Sequence, residues 1–329
     1  MLGLSGNLEV IHSLTSWLTQ GRHAWLATVL KTYGSSPRPP GSLMALNQDG
    51  LLTGSISGGC IEEQLLNQLS QGNQATQPTI IDYGINTHDQ IRFKLPCGGH
   101  LKILIEPLTP RHQEHFKSVQ HALDQGHSIT REISPLDGSL RLHPPEPATP
   151  NDKQGIYHTL GPQAQLLLLG AGQISQILAR IAASLDYRIA VCDPRPQFAQ
   201  SWPIDTLPHV EFSTLLPDDF IRHNQVNAST AIVALSHDPR VDDMALMEAL
   251  STDAFYIGAM GSKSSSENRR QRLISLDLSA EQIDKLHAPV GLDIASKTPA
   301  EIAISILAHM TQIKNQQQLF KNPVLYAKQ

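Results

Sequence analysis

One segment constrains the fold more than any other part of the chain: Leu166-Leu-Leu-Leu-Gly170-Ala-Gly172-Gln-Ile-Ser175. Its four leucines predict a buried strand, and its two glycines form a turn that leads directly into a helix. Gly170 permits the tight turn, Gly172 lets backbone N–H groups approach a phosphate, and the helix N-terminus supplies a positive dipole end. The segment therefore predicts a Rossmann-type domain with a phosphate-bearing, nucleotide-like ligand. The alternative is a scaffold that has lost its ligand and keeps the glycines for geometry.

Two charged residues follow the next predicted strand, 189–192. Asp193 stands where an acidic side chain commonly binds a ribose hydroxyl, and Arg195 lies two residues further on. Arg195 either reaches a phosphate or packs as a surface cation, and the sequence leaves both open. Ser175 replaces the third glycine or alanine of such a turn, which affects the packing of helix against strand more than phosphate contact.

Two more polar segments follow strands of this predicted sheet at their carboxyl ends, where open α/β sheets bind ligands. They are Ser236-His237-Asp238 and Gly258-Ala-Met-Gly261-Ser262-Lys263. Glycines in the second segment allow the backbone to approach an anion closely, and Lys263 can meet its charge. The alternative for the first segment is that Asp238 caps the next helix while His237 is solvated. The arginines of the following helix are predicted to form a solvated face: Arg269, Arg270 and Arg272.

Two cysteines lie beside paired glycines in the first half of the chain, in Ser57-Gly58-Gly59-Cys60-Ile-Glu62 and in Pro96-Cys97-Gly98-Gly99. These glycines leave the backbone open, so that a bulky ligand can reach the sulfur. Cys60 also begins a predicted helix, whose dipole lowers the pKa of a thiol by less than about one unit. A thiol whose pKa starts near ~8.5 therefore stays mostly protonated at neutral pH. A soft metal or a neighbouring cation is needed to convert it to the thiolate. The alternative is that both thiols are small buried hydrophobes.

The chain divides into two predicted domains. Residues 1–133 form a mixed α+β domain, and six prolines in 134–162 predict a linker. Short apolar runs alternate with helical stretches over 163–315, which predicts a doubly wound parallel sheet, and 316–329 is predicted to be a C-terminal tail. The predicted fold class is therefore α/β, with an N-terminal α+β domain followed by a Rossmann-like domain.

Composition disfavours several classes of protein. The chain has 329 residues, of which 40% are hydrophobic and 17% charged, as is typical of a globular protein. Its net charge of −5 disfavours binding to nucleic acid or to an anionic membrane. No apolar run approaches the ~18 residues of a membrane helix, and no signal-peptide pattern is present, so a cytoplasmic location is expected. The absence of a Cys-x-x-Cys pair disfavours a structural zinc site.

Taken together, these segments resemble the XdhC family of accessory proteins. In the first half the resemblance rests on Ala27-Thr-Val, Gly34-Ser-Ser-Pro-Arg38, Pro40-Gly41, Gly54-Ser-Ile-Ser-Gly-Gly-Cys60-Ile-Glu62 and Cys97-Gly-Gly99. In the second half it rests on Gly170-Ala-Gly172, Asp193-Pro-Arg195, His237-Asp238, Tyr256-Ile-Gly-Ala-Met-Gly-Ser262, Pro289-Val-Gly-Leu-Asp-Ile294 and Thr298-Pro-Ala-Glu-Ile302. The segment 108–156 carries no part of it.

This resemblance implies a chaperone for the molybdenum cofactor, the molybdopterin compound of xanthine dehydrogenase and related molybdenum hydroxylases. Such a chaperone receives the cofactor, supports installation of its terminal sulfido ligand with a cysteine desulfurase as sulfur donor, and passes it to the hydroxylase. The resemblance thus implies an accessory factor rather than a turnover enzyme, and a homodimer.

By motif, the resemblance implies that Cys60 and Cys97 contact the molybdenum, for which a thiolate is a suitable soft ligand. The other cofactor-binding candidates follow the same motifs: Gly58, Gly59, Gly98, Gly99, Arg38, Gly170, Gly172, Asp193, Arg195, His237, Asp238, Gly258 and Ser262. We expect the Gly170 turn to hold the pterin phosphate or a nucleotide. No catalytic residue is predicted.

Two other function classes stay open. An NAD(P)-dependent oxidoreductase would also show the Gly170 turn and Asp193, although no tyrosine–lysine pair at helical spacing accompanies them. A non-catalytic scaffold that bridges maturation partners would need no ligand at the turn. Tight, saturable binding of a nicotinamide cofactor would favour the oxidoreductase. Intact maturation of the hydroxylase after a bulky replacement of Gly172 would favour the scaffold.

Overall fold

The computed structural model describes residues 6–33, 38–72, 75–83, 100–144, 155–162, 164–207, 210–236, 238–317 and 323–326. Contacts between Cα atoms divide the chain into two compact units. The first is Met1–Gly161 together with Asn322–Gln329, and the second is Pro162–Lys321.

The first unit contains a five-stranded antiparallel sheet, with strand order β3-β2-β1-β5-β4. Its strands are β1 Ala24–Tyr33, β2 Leu43–Asn47, β3 Leu52–Gly54, β4 Thr79–Tyr83 and β5 His100–Leu108. Its helices are α1 Gly6–Thr19, α2 Cys60–Ser70 and α3 Gln113–Asp124. Successive residues of β1 point to opposite faces of the sheet. Leu26 packs against α1 and α3 on one face, and Ala27 packs against α2 on the other. This sheet is therefore covered on both faces.

A second, four-stranded sheet completes this unit, with strand order β15-β8-β6-β7. Its strands are β6 Ile129–Ile133, β7 Leu140–His143, β8 Ile156–Leu160 and β15 Val324–Tyr326. All three pairings in it are antiparallel.

This sheet corrects two sequence predictions. The segment 134–162 is predicted to be a linker, yet β7 and β8 both lie inside it. Of its prolines, the three that the structure describes stand outside the strands, where no ladder hydrogen bond is lost: Pro135, Pro144 and Pro162. The segment 316–329 was predicted to be a tail, yet Val324 pairs with His158 of β8. A strand partner so distant along the chain leaves no local signal in the sequence.

The second unit is built on a six-stranded parallel sheet, with order β11-β10-β9-β12-β13-β14. Its strands are β9 Ala164–Leu169, β10 Tyr187–Cys192, β11 Val210–Ser213, β12 Thr230–Ala234, β13 Tyr256–Ala259 and β14 Leu286–His287. Its helices are α4 Gln173–Ala183, α5 Pro196–Ser201, α6 Pro217–His223, α7 Pro239–Ala249, α8 Lys263–Ser275, α9 Ala280–Asp284 and α10 Pro299–Gln316. The strand order reverses between β9 and β12, as in a doubly wound Rossmann sheet, which confirms the predicted fold class.

The central strand β9 explains the run of leucines. Leu166 and Leu168 pack into the core beneath α4 and α10, whereas Leu167 and Leu169 pack into the core beneath α6, α7 and α8. A strand buried on both faces needs apolar residues at every position rather than alternation. Within the described ranges, no helix combines the length and apolar character needed to cross a membrane.

Candidate functional site

The turn after β9 lies at the carboxyl edge of the parallel sheet, beside the turn after β12. Gly170 has a φ of +104°, and a Cβ built on it would lie 2.9 Å from the backbone nitrogen of Ser236. Glycine is therefore required there for backbone conformation and for space. Gly172 has an ordinary φ of −72°, and no described atom lies within 4 Å of a Cβ built on it. Since Gly172 is the N-cap of α4, the open space lies at the positive end of that helix.

Ser175 connects the first turn of α4 back to this glycine turn. Its hydroxyl is fully buried and donates a hydrogen bond to the carbonyl of Gly170. The serine therefore acts in helix-to-strand packing, as predicted.

Asp193 follows β10 and is 1% exposed. It accepts the N–H of Ala171 at 3.0 Å, the N–H of Arg195 at 3.1 Å, and two guanidinium bonds from Arg195 at 2.8 and 2.7 Å. Burial acts to raise the pKa of Asp193, but the bonds from Arg195 and Ala171 outweigh it and lower the pKa. Both carboxylate oxygens are thus occupied, so a ribose hydroxyl would have to compete with Arg195.

Arg195 matches neither sequence alternative fully, because its main partner is Asp193. Its guanidinium also lies over the ring of Phe198, 3.9 Å from the ring centroid. The side chain is 44% exposed, so it remains accessible to an anion.

A buried ionic cluster lies beneath the turns that follow β12 and β13. Asp242 and Asp243 of α7 contribute the carboxylates, and Arg269 of α8 lies between them. Arg269 Nη2 is 3.1 Å from Asp242 Oδ2, and its Nε is 3.0 Å from Asp243 Oδ1. Burial raises the pKa of Asp242 to about 6, although the hydrogen bond from Ser236 and the charge of Arg269 act in the opposite direction.

This cluster corrects the prediction of a solvated arginine face on α8 for Arg269 and Arg270, whereas Arg272 is exposed. Arg269 is 5% exposed, and Arg272 donates to Asp243 Oδ2 at 2.6 Å. Arg270 donates to the carbonyls of Ile283 and Leu286. The sequence carried one signal for the burial of Arg269, namely its helical spacing from two other buried positions: Ser266 and Leu273.

Several predicted residues have structural partners at this edge. A Cβ on Gly258 would lie 2.5 Å from Val290 Cγ2, so glycine is needed there for packing. Ser262 is the N-cap of α8 and accepts the N–H of Ser265 at 3.1 Å. Asp238 directly precedes α7, and its N–H donates to Ser236 Oγ at 3.3 Å.

Sequence reasoning missed Glu62 as part of the site. It stands in the first turn of α2, is 7% exposed, and turns its carboxylate back over the loop 55–59. It accepts the N–H groups of Ile56 and Ser57 at 2.9 Å each and that of Gly59 at 3.0 Å. Burial acts to raise the pKa of Glu62, but hydrogen bonds from Ser57 and its neighbours lower it to about 2. A glutamate at the third position of a helix is a capping signal that points to this role.

The predicted cysteine sites are described only in part. Cys60 is the first residue of α2, and the preceding Gly58 and Gly59 have φ values of +88° and +144°. The N–H groups of these glycines are directed at Glu62. The Cys60 side chain lies outside the described part of the structure, as do four predicted residues: Cys97, Gly98, Gly99 and His237. Arg38 is described and exposed.

Cys192, the third cysteine, ends β10 in the core. It is 0% exposed, and its thiol donates to the carbonyl of Leu215 at 3.2 Å. Burial, with smaller contributions from Asp193 and Asp218, raises its pKa to about 12. It is therefore a structural residue.

An apolar cavity of about 220 Å³ lies between α2 and the five-stranded sheet. Trp25, Met44, Leu65 and Ile105 line it, and the polar side chains at its wall are neutral. Such a lining offers no charged partner for a phosphate, so this cavity is not part of the candidate site.

Comparison with known proteins agrees with this architecture. A family model described as the XdhC and CoxI family matches residues 17–84, and one described as the XdhC Rossmann domain matches residues 166–310. The chain is 28% identical to a probable xanthine dehydrogenase subunit of Bacillus subtilis, over 94% of this chain and 98% of that protein. It is 26% identical to the molybdenum cofactor insertion chaperone PaoD of Escherichia coli, over 92% of this chain and 86% of that protein.

A solved structure shares the same fold. It is described as a xanthine dehydrogenase from Bacillus halodurans, and it matches with a TM-score of 0.71 and 25% identity, over 96% of this chain and 100% of that one. The two family models fall in the two compact units, and the similarity to whole relatives covers nearly the full length. The chain therefore belongs to the XdhC family.

Proposed function

We propose that this chain is a molybdenum cofactor-binding chaperone, which supports sulfuration of the cofactor and its insertion into xanthine dehydrogenase or a related molybdenum hydroxylase. The observation that carries the proposal is the open space beside Gly172 at the N-terminus of α4. Backbone N–H groups and a helix dipole at such a turn suit the phosphate of a pterin. The E. coli relative is named a molybdenum cofactor insertion chaperone, which supports the insertion role, and the name of the B. subtilis relative supports the link to xanthine dehydrogenase.

The proposed ligands of the molybdenum are cysteines of the first unit. Cys60 begins α2 after two glycines of positive φ, and a thiolate is a soft ligand suited to molybdenum. When bound, the metal supplies the positive charge that favours the thiolate. Cys97 is proposed as a second ligand on the basis of its motif.

The remaining parts of the proposal concern partners and location. A cysteine desulfurase would donate the sulfur, and the chain would act as a homodimer in the cytoplasm. Arg195, exposed beside Asp193, is proposed to meet an anionic group of the molybdenum cofactor. The family resemblance supports the desulfurase and the dimer.

The experiment that tests the proposal is molybdenum and pterin analysis of the protein purified from a cofactor-producing host. We expect both to co-purify with the parent chain, and most of each to be lost in Cys60→Ala/Cys97→Ala and in Gly172→Val. The matched control is Cys192→Ala, which removes a buried thiol and should retain the cofactor. A Cys60→Ala/Cys97→Ala protein with its full content of molybdopterin would contradict the role of these thiols.

A further inference from the structure

We infer that Arg269 and Asp242 are positioning residues for ligand binding, which together hold the turns after β9, β12 and β13 in one arrangement. The inference rests on the proposed function, because it takes this carboxyl edge as the place where the phosphate of the cofactor binds. The two residues are 5% and 1% exposed, so they act through the turns and do not touch the ligand.

Arg269 connects the turn after β13 to helix α7. Its Nη1 donates to the carbonyl of Met260 at 3.0 Å, and its other donors bind Asp242 and Asp243. A guanidinium is planar and its donors have fixed directions, so three such bonds fix both position and orientation. The Met260 turn therefore cannot move independently of α7.

Asp242 extends this connection to the turn after β12, and from there to the turn after β9. The Ser236 hydroxyl donates to Asp242 Oδ1 at 2.6 Å. The backbone nitrogen of Ser236 in turn approaches Gly170 so closely that a Cβ there would lie at 2.9 Å. A continuous set of contacts thus runs from Arg269 to the glycine turn beside the open space at Gly172.

The energetics favour positioning as the reason for burying these charges. Burial raises the pKa of Asp242 to about 6 despite the nearby arginine, which means that desolvation of this carboxylate is costly. Buried ion pairs are weak stabilisers, and apolar replacements of similar volume are often as stable. An apolar pair of side chains could not form the directional hydrogen bonds that connect Arg269 and Asp242 to the turns after β13 and β12.

The test separates positioning from stability by means of a double variant. Arg269→Met and Asp242→Asn each remove one charge of the buried cluster and leave an opposite charge uncompensated, although Asp243 remains as a partner of Arg269 in the second variant, so each should lower the melting temperature. Arg269→Met/Asp242→Asn removes both charges and should recover most of that loss in melting temperature.

Pyrophosphate binding is measured by calorimetry on the full chain. We expect at least a tenfold weaker affinity in all three variants, including the double variant. Arg222→Met, an exposed ion-pairing arginine on α6, is the matched control and should retain both properties.

Hydrogen–deuterium exchange gives a second measurement that needs no ligand. Peptides that cover the turns after β12 and β13 should exchange at least tenfold faster in the double variant, while the strands of the sheet keep their protection. A double variant with parental pyrophosphate affinity and parental exchange at these turns overturns the inference. If the parent does not bind pyrophosphate, the phosphate site of the proposed function fails, and the exchange data still decide on positioning.

Ser236→Ala covers the case in which the double variant does not fold. It removes only the hydroxyl that joins Asp242 to the turn after β12. We expect faster exchange at that turn and weaker pyrophosphate binding, with little change in melting temperature. Unchanged exchange and affinity in Ser236→Ala would overturn the inference by themselves.

Discussion

Glu62 accepts the N–H of Gly59 at 3.0 Å, so its carboxylate closes the loop that precedes its own helix. The same carboxylate accepts the N–H groups of Ile56 and Ser57. Because several donors converge on one charged acceptor, the conformation of the backbone before Cys60 depends on this side chain.

Replacement of Glu62 by glutamine should therefore destabilise the first unit. Glutamine loses the charge and turns an NH2 group toward N–H donors, and we expect the free energy of unfolding to fall by about 2 kcal/mol. Urea unfolding of the full chain measures this change. The control is Glu63→Gln, since Glu63 lies in the same helical turn but is exposed, and we expect a change below about 0.5 kcal/mol. Equal losses in the two variants would show that the loop contacts contribute nothing.

The two glycines of the turn after β9 should respond differently to substitution. Gly170→Ala places a Cβ 2.9 Å from a backbone nitrogen at a φ of +104°, and should cost about 2 to 4 kcal/mol of stability. Gly172→Ala meets no described atom and should cost less than about 1 kcal/mol. Thermal unfolding of the two variants compares them directly. If Gly172→Ala proves as unstable as Gly170→Ala, the space beside Gly172 is not open.

The pairing of Asp193 with Arg195 predicts weak binding of nicotinamide dinucleotides. A ribose hydroxyl needs a free acceptor, whereas this carboxylate already accepts four hydrogen bonds. In a fluorescence titration we expect no saturation by NADH below ~1 mM, and tighter binding by Arg195→Met.

Arg188→Met is the control for this titration. Arg188 forms an exposed ion pair with Glu211 in the same sheet, so the substitution makes the same change of charge away from the turn. Saturable NADH binding by the parent, with turnover of a carbonyl substrate, would instead support the oxidoreductase alternative.

The parts of the fold that local patterns determine could be predicted from the sequence. A strand buried on both faces needs an unbroken apolar run, and Leu166 to Leu169 form one. The tight turn that follows needs a positive φ, which Gly170 supplies. These requirements act within a few neighbouring residues, so the Rossmann unit and its glycine turn could be located without coordinates.

Interactions between distant residues could not be predicted in the same way. Arg269 is buried because two carboxylates on another helix face it, and nothing adjacent to Arg269 in the sequence indicates them. Asp193 has the expected position at the end of β10, but only the structure shows that Arg195 occupies its carboxylate. The strand Val324–Tyr326 pairs with β8, which lies about half the chain length earlier in the sequence. Burial, pairing and strand partners of this kind are properties of the tertiary fold.

One buried and one half-buried histidine should make the first unit sensitive to acid. His115 and His158 both lie near Arg131, which forms a buried ion pair with Glu106 at 2.6 Å. Arg131 Nε donates to His115 Nε2 at 3.2 Å, which requires a neutral imidazole. Burial first, and then the charge of Arg131, lowers the pKa of each histidine to about 3.

The sign of the pH dependence follows from these lowered pKa values. An unfolded chain takes up protons at each imidazole near pH 6.5, whereas the folded chain resists protonation down to about pH 3. Stability should therefore fall as the pH drops below about 6.5, by roughly 2 kcal/mol per histidine at pH 5. Urea unfolding of the parent and of His158→Leu at pH 7 and pH 5 measures this effect. We expect the variant to lose about 2 kcal/mol less than the parent between these pH values, whereas His23→Gln, which alters an exposed imidazole, should lose as much as the parent. Equal acid losses in the parent and His158→Leu would mean that His158 is already protonated in the folded protein.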